Sequence, residues 1–218
     1  MVIFDCNGVL VDGEPIAAAV AAEEFSRAGF AMTPQVVAQF FTGRRAIDML
    51  AAVEAATGRK LPAHFARDLA AATLRRIREE LRPTPHAAHA LTWLRGPKCV
   101  ASSATHDRIR ISLETAGLAR FFETNVFSAS EVPRGKPAPD LFLRAARSMG
   151  IDPRDCIVVE DSAVGVAAAV AAGMTAIGFV GGSHVHAQSP LQLTAAGART
   201  VIADMRALKS TVVALRGW

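Results

Sequence analysis

Met1-Val2-Ile3-Phe4-Asp5-Cys6-Asn7-Gly8-Val9-Leu10-Val11-Asp12 is an apolar run interrupted by a carboxylate, a small residue, an amide and a glycine. Val2-Ile3-Phe4 reads as the end of a short strand buried on both faces, the texture of a parallel sheet. Open α/β sheets bind ligands beyond the carboxyl ends of their strands. A carboxylate at that end, Asp5, is therefore a candidate for chemistry as well as for a turn. Gly8 supplies the backbone freedom for the chain to turn away. Asn7 has the shape of an aspartate but no exchangeable acid proton.

The next seventy or so residues read as helices. Pro15 suits a first helical turn and Gly29 a helix end; Thr33 before Pro34 is an N-cap. A third helix is expected from Arg45 to Thr57, before Gly58, and a longer one from Pro62 to Leu81. Pro83 and Pro85 then punctuate the chain. Beyond them the texture changes. Strand-like runs at Lys98–Ala101, Asn125–Phe127, Cys156–Val159, Thr175–Phe179 and Thr200–Ile202 alternate with helical patterns at 105–116, 137–149, 163–172, 190–196 and 204–215. Such alternation predicts an α/β fold, a Rossmann-like parallel sheet covered on both faces. The first strand stands apart from the others, so the helical block reads as an inserted cap. The expected division is 1–12 with 84–218 as core and 13–83 as cap.

The composition narrows the class. Of 218 residues 51% are hydrophobic, enough for a substantial core. Three cysteines suit a reduced, cytoplasmic setting, each as a small core residue. No secretory leader is read, and no uncharged stretch reaches the roughly 18 residues a membrane span needs. A net charge of +4 favours anionic ligands. The arginines are scattered and there is no tyrosine, so neither nucleic acid nor membrane is an expected partner.

Polar residues collect where strands end: Asp5-Cys6-Asn7-Gly8, Ala101-Ser102-Ser103 and Glu160-Asp161-Ser162, with Arg134-Gly135-Lys136-Pro137 on a loop. Brought together, they supply carboxylates, a hydroxyl and an ammonium. Carboxylates suit a hard cation such as Mg²⁺, and lysine and hydroxyl suit phosphate oxygens. That set suggests phosphoryl transfer, where positioning and charge neutralisation dominate.

In this order and spacing, over about 160 residues, the four motifs resemble the haloacid dehalogenase superfamily, in its branch of capped phosphatases and β-phosphoglucomutase-like enzymes. The resemblance implies that Asp5 is the nucleophile forming an aspartyl-phosphate and that Mg²⁺ is the cofactor. It implies Asp5, Asp161 and the Asn7 carbonyl as metal ligands, with Glu160 as a further ligand or the partner that fixes their geometry. Ser102, the Ser103 backbone N–H and Lys136 would bind phosphate. The Ser103 side chain reads as structural, Asp140 as an early-helix residue, and Asp12 as support at the exit into the cap. The glycine-containing loop Thr42-Gly43-Arg44-Arg45 would read the substrate, with Gly43 pointing into the crevice and both guanidiniums facing an acidic group. His106 is a further candidate contact. His184 and His186 invite a metal reading, which the lack of cysteine partners weighs against. The expected partner is a small phosphorylated metabolite, sugar phosphates foremost, bound by a monomer.

Asn7 departs from the pattern. Phosphatases of this family place at that position an aspartate that protonates the leaving oxygen and then activates water. Three explanations compete: a trapping substitution, a natural slow or specialised enzyme, or a protein that binds a phosphorylated ligand without turnover. Rival activities are a hexose-phosphate mutase and a dehalogenase; the latter leaves Glu160-Asp161 unexplained.

Overall fold

In the computed structural model, which describes residues 1–216, strand β1 (Val2–Phe4) lies in the middle of a six-stranded sheet. The others are β2 (Lys98–Ser102), β3 (Val126–Ser128), β4 (Ile157–Glu160), β5 (Thr175–Phe179) and β6 (Thr200–Ile202), ordered β3-β2-β1-β4-β5-β6 and all parallel. The strand order reverses between β1 and β4, the switch point where α/β sheets open a ligand crevice. Phe4 is in register with Val100 on one side and Val159 on the other, so Asp5, Ala101 and Glu160 leave the sheet at one level.

The apolar runs follow from burial of both faces. Val2 and Phe4 belong to one core cluster, with Val100, Val159 and Ile177. Ile3 points to the other, with Cys99, Ala101 and Val158. The second cluster takes in α7 (Asp140–Ser148) and α8 (Ala163–Ala171); both are capped toward the strand ends or begin beside them. Ser162 caps α8 by accepting from the Gly165 N–H. The strongly alanine-rich α8 needs no wide side chains, because Ala168 and Ala169 pack against the sheet with no exposed surface.

Between β1 and β2 come α1 (Glu14–Arg27), α2 (Pro34–Phe41), α3 (Ala46–Thr57), α4 (Phe65–Glu80) and a short α5 (Ala87–Trp93). Thr33 caps α2 from its hydroxyl, and Gly58 closes α3 at φ 65°, both as the sequence predicts. The insert's apolar face, including Val20, Phe25, Phe65 and Ile77, is continuous with the Phe4 side of the sheet. Its two connections run side by side: Asp12 N–H donates to Arg82 O and Thr84 N–H to Leu10 O.

Three differences from expectation have local causes. Helix α5 was not read from the sequence, because it is only seven residues long and starts after His86 at φ 65° without a side-chain cap. Helix α7 begins at Asp140 rather than 137, since Pro137 and Pro139 occupy the turn before it. The last helix, α10 (Leu208–Arg216), follows a separate 3-10 turn at Met205–Ala207. The remaining helices are α6 (His106–Thr115) and α9 (Ser189–Ala195). Residues 217 and 218 of the expected core segment lie outside the described residues.

Phe4 has no exposed surface and meets the Phe122 ring edge-on at 6.0 Å between centroids. Phe4→Ala should cost about 3–5 kcal/mol, read as a lower denaturant midpoint at unchanged slope.

Candidate active site

Strand β1 delivers Asp5 into the switch-point crevice, its own N–H held by Val159 O. Lys136 arrives from the loop before α7 and is 3% exposed. Its Nζ donates to Asp5 Oδ1 at 2.5 Å and to Glu160 Oε1 at 2.5 Å, with Ala101 O at 3.4 Å and the Phe142 ring 5.1 Å away. Burial alone would lower the lysine's pKa, but the charges of Asp5 and Glu160 outweigh it and raise the value. Burial also raises Asp5 well above the ordinary carboxylate range, against the pull of Lys136.

Glu160 has no free oxygen. Oε2 accepts from the Ser162 N–H at 3.1 Å and from the Ser162 hydroxyl at 2.9 Å, while Oε1 holds Lys136. Of the two readings of Glu160, a further metal ligand or the partner that fixes the geometry, these contacts favour the second: it positions Lys136. Gly165 is required beside it, because a Cβ there would stand 2.0 Å from the Glu160 carboxyl carbon.

Asp161 points the other way, against Gly8, whose added Cβ would meet Asp161 Oδ2 at 2.0 Å. His184 Nε2 stands 2.8 Å from that oxygen but is not aligned for a hydrogen bond, so Asp161 Oδ2 and His184 Nδ1 both lack hydrogen-bond partners. Burial pushes the Asp161 carboxyl up to about 7, beyond what the nearby histidine draws down. His184 is itself raised: burial opposes its charge, but Asp161 overrides. Sequence reading considered His184 only for zinc and missed this pairing. His186 contributes a backbone N–H to Ser189. Asp12 accepts from the Ser183 N–H and so anchors the loop that carries His184.

A cavity of about 530 Å³ opens from Asp5 into the helical insert, and Asn7, Ser102, Ser103, Gly43 and Arg44 also line it. Ser102 is buried, and its hydroxyl accepts from the Ala104 N–H. Asn7 Oδ1 is buried without a partner and lies against Gly13. The Ser103 hydroxyl donates to Gly43 O at 2.7 Å, and a Cβ on Gly43 would come within 2.4 Å of Ser162 Oγ. The insert's glycine loop is thus latched on the strand ends, with φ at Gly43 of 79°.

Two expected substrate contacts are otherwise engaged. Arg45 forms a two-pronged pair with Asp48 at 2.7 and 2.8 Å and reaches Val132 O and Pro133 O at 3.4 Å, tying insert to core. His106 pairs with Glu131 and lines a separate shallow pocket. Arg108, not singled out from the sequence, does line the main cavity, one helical turn into α6.

A family model for haloacid dehalogenase-like hydrolases matches residues 1–173. The chain belongs to that family. It is 29% identical over 184 residues to the 6-phosphogluconate phosphatase of Escherichia coli, covering 84% of this chain and 83% of that one. It is 30% identical over 176 residues to the fructose-1-phosphate phosphatase of the same organism, covering 80% and 93%. A solved haloacid dehalogenase-like protein of unknown function from Agrobacterium tumefaciens superposes with a TM-score of 0.83 at 34% identity, over 99% and 98% of the two chains. Among the described residues no helix is long and apolar enough to cross a membrane.

The donors present fit a hard dication. Asp5 and Asp161 offer carboxylate oxygens, and Asp161 Oδ2 is buried with no hydrogen bond of its own. Among the described residues no three His, Cys, Asp or Glu side chains converge as a cage. Mg²⁺ does not need one: it keeps waters and takes one or two carboxylates plus phosphate oxygens. The folded state holds the extra proton on Asp161, so its contribution to metal-free stability falls as pH rises from about 4 through about 7. The gain in melting temperature from Mg²⁺ should therefore be larger at about pH 8 than at about pH 5, and Asp161→Asn should remove that difference in a thermal-shift titration.

Proposed function

We propose that this member of the family is a Mg²⁺-dependent phosphoric monoester hydrolase that works through an aspartyl-phosphate on Asp5. The observation that carries the reading is Lys136, locked between Asp5 and Glu160 behind a cavity that Asp5 and Ser102 line. Asp5 Oδ1 is taken by the lysine, which leaves Oδ2 as the attacking oxygen. An Oδ2–phosphorus bond forms, the ester oxygen–phosphorus bond breaks, and the departing oxygen takes a proton from solvent, since Asn7 has none to give. Water then attacks phosphorus and returns a proton to solvent, the bond to Oδ2 breaks, and inorganic phosphate and free Asp5 result. Lys136, the Ser102 hydroxyl and the Ser103 N–H would hold the phosphoryl oxygens through the exchange. Asp5, Asp161 and the Asn7 carbonyl would hold Mg²⁺, which supplies charge neutralisation on the transferring group.

The latched Gly43 loop supports a covered crevice, in which water meets the phosphoryl group only after the alcohol has left. Relatives named for 6-phosphogluconate and fructose 1-phosphate provide a starting set of sugar phosphates for assay. The protein acts in this reading as a cytoplasmic monomer on a small molecule.

Asn7 sets the rate. It keeps a backbone carbonyl for the metal but has no proton to give the leaving oxygen, help typically worth about 10²–10⁴-fold. Asn7→Asp should raise phosphate release from an alkyl phosphate by at least about tenfold with Mg²⁺ present. Equal rates for the two forms would remove Asn7 from the proton-transfer position.

The same amide favours a second reading, a protein that binds phosphorylated ligands without turnover. Treatment with a small phosphodonor followed by intact mass measurement separates the two. A phosphoryl adduct lost in Asp5→Asn is the expected result; no adduct on either form supports the binder. Loss of β-glucose 1-phosphate without phosphate release would instead indicate a mutase.

A further inference from the structure

The cavity behind Asp5 runs deep into the helical insert, and its far walls have a chemistry that the phosphoryl site does not. At about 530 Å³ it has room for a body well beyond the phosphoryl group. Ala17 and Ala21 of α1, Phe41 of α2, Leu50 of α3, and Leu69 and Leu74 of α4 face it. The small α1 side chains make the space, and the larger ones opposite make it apolar.

The polar side chains that the insert does contribute are mostly spent. Thr73 donates its hydroxyl to Leu69 O at 2.7 Å, and Thr42 donates to Ala38 O at 2.7 Å, so each offers the cavity chiefly its methyl group. Arg45 is held by Asp48. Glu14 and Arg44 remain. Glu14 opens α1 directly after Gly13, which lies against Asn7, and Arg44 follows the latched Gly43; both belong to the phosphoryl end. On the core side, Ser103 donates to Gly43 O and Ser130 is paired with Ser128. Arg108 keeps a buried Nε without a partner, and its charge acts on Cys6 beside Asp5, so it too belongs with the phosphoryl end. A polyol placed in this cavity would lose water from its hydroxyls and find few donors or acceptors in return.

We infer that the body of the substrate is hydrocarbon: the site takes phosphomonoesters of alkyl, prenyl or aryl alcohols in preference to those of polyols. The inference rests on the phosphatase reading for the position of the phosphate and extends it to the rest of the molecule. The relatives with sugar-phosphate names are 29% and 30% identical to this chain, a distance at which cavity walls are free to diverge.

The test uses the full chain with Mg²⁺ and non-hydrolysable alkylphosphonates from methyl to octyl, titrated calorimetrically. Affinity should rise about fourfold per added methylene, the equivalent of about 0.8 kcal/mol per buried CH₂, until the cavity is filled. The binding heat capacity should grow more negative along the series. Glucose 6-phosphate and glycerol 3-phosphate should bind no more tightly than methylphosphonate. Ala21→Phe, which fills the cavity, should flatten the series, as should the polar Leu74→Asn if the first variant does not fold. A flat series in the wild type, or a sugar phosphate that outcompetes octylphosphonate, would overturn the inference. Phosphate release from the matching alkyl phosphates, measured on the Asn7→Asp form, separates this from the parent reading. A steep series without release upholds the hydrocarbon body and sinks the phosphatase. Release with a flat series does the reverse.

Discussion

A lysine ammonium with almost no exposed surface lies between two carboxylates, and the site is organised around keeping it there. Removing an ion from water costs several kcal/mol even after relaxation, so a buried charge persists only when paired and hydrogen-bonded. Lys136 meets that condition with Asp5, Glu160 and Ala101 O. Glu160 in turn needs Ser162, Ser162 needs the Gly165 N–H, and Gly165 must lack a side chain to admit the carboxylate. The order of charges along the chain is therefore also an order of packing: strand β4 ends where its glutamate can reach the lysine, and α8 starts where its cap can hold the glutamate.

This arrangement leaves two carboxylates with unequal duties. Asp5 is drawn to the lysine and faces the cavity with its other oxygen. Asp161 is turned toward Gly8 and His184, with an oxygen that nothing donates to. Without a dication the site resolves the excess of buried negative charge by raising carboxyl pKa values, as at Asp161. In the proposed reading a dication would take the same two groups as ligands. The helical insert is coupled to this centre by contacts from both sides: Ser103 grips Gly43 O, and Arg45 reaches the carbonyls before Lys136. The Gly43–Arg45 loop and the strand ends around Asp5 are thus held in a single frame.

Legibility in the sequence followed the range over which each feature is specified. The strand ends carrying Asp5, Ser102 and Glu160-Asp161 are marked by abrupt polar stops after apolar runs, and all six strands lie within a residue of their expected bounds at each end. The Thr33 cap acts on the next turn of its own helix and is equally visible, whereas the capping of α8 by Ser162 is seen only in the structure. Short α5 was missed because seven residues give too little periodicity to read. Arg45 and His106 read as candidate substrate contacts, yet each pairs with a carboxylate: Asp48 three residues away, a pair the sequence does display, and Glu131 twenty-five residues away, one it does not. Ser103 was expected to be structural, but that it clamps a residue sixty positions earlier is not a local fact.

The amino-acid sequence by itself determined the α/β class, the helical insert, the family and the chemical types at the phosphoryl site. Those are written in periodicity, in caps and in short runs whose geometry the backbone sets within a few residues. Only the tertiary structure decided that Glu160 holds the lysine, that His184 lies against Asp161, and that the cavity beyond Asp5 is walled largely by alanine and leucine. Each of those depends on which side chains meet across the fold and on which oxygens are left unpartnered once burial has been satisfied. That is a property of the packed molecule, not of any one segment.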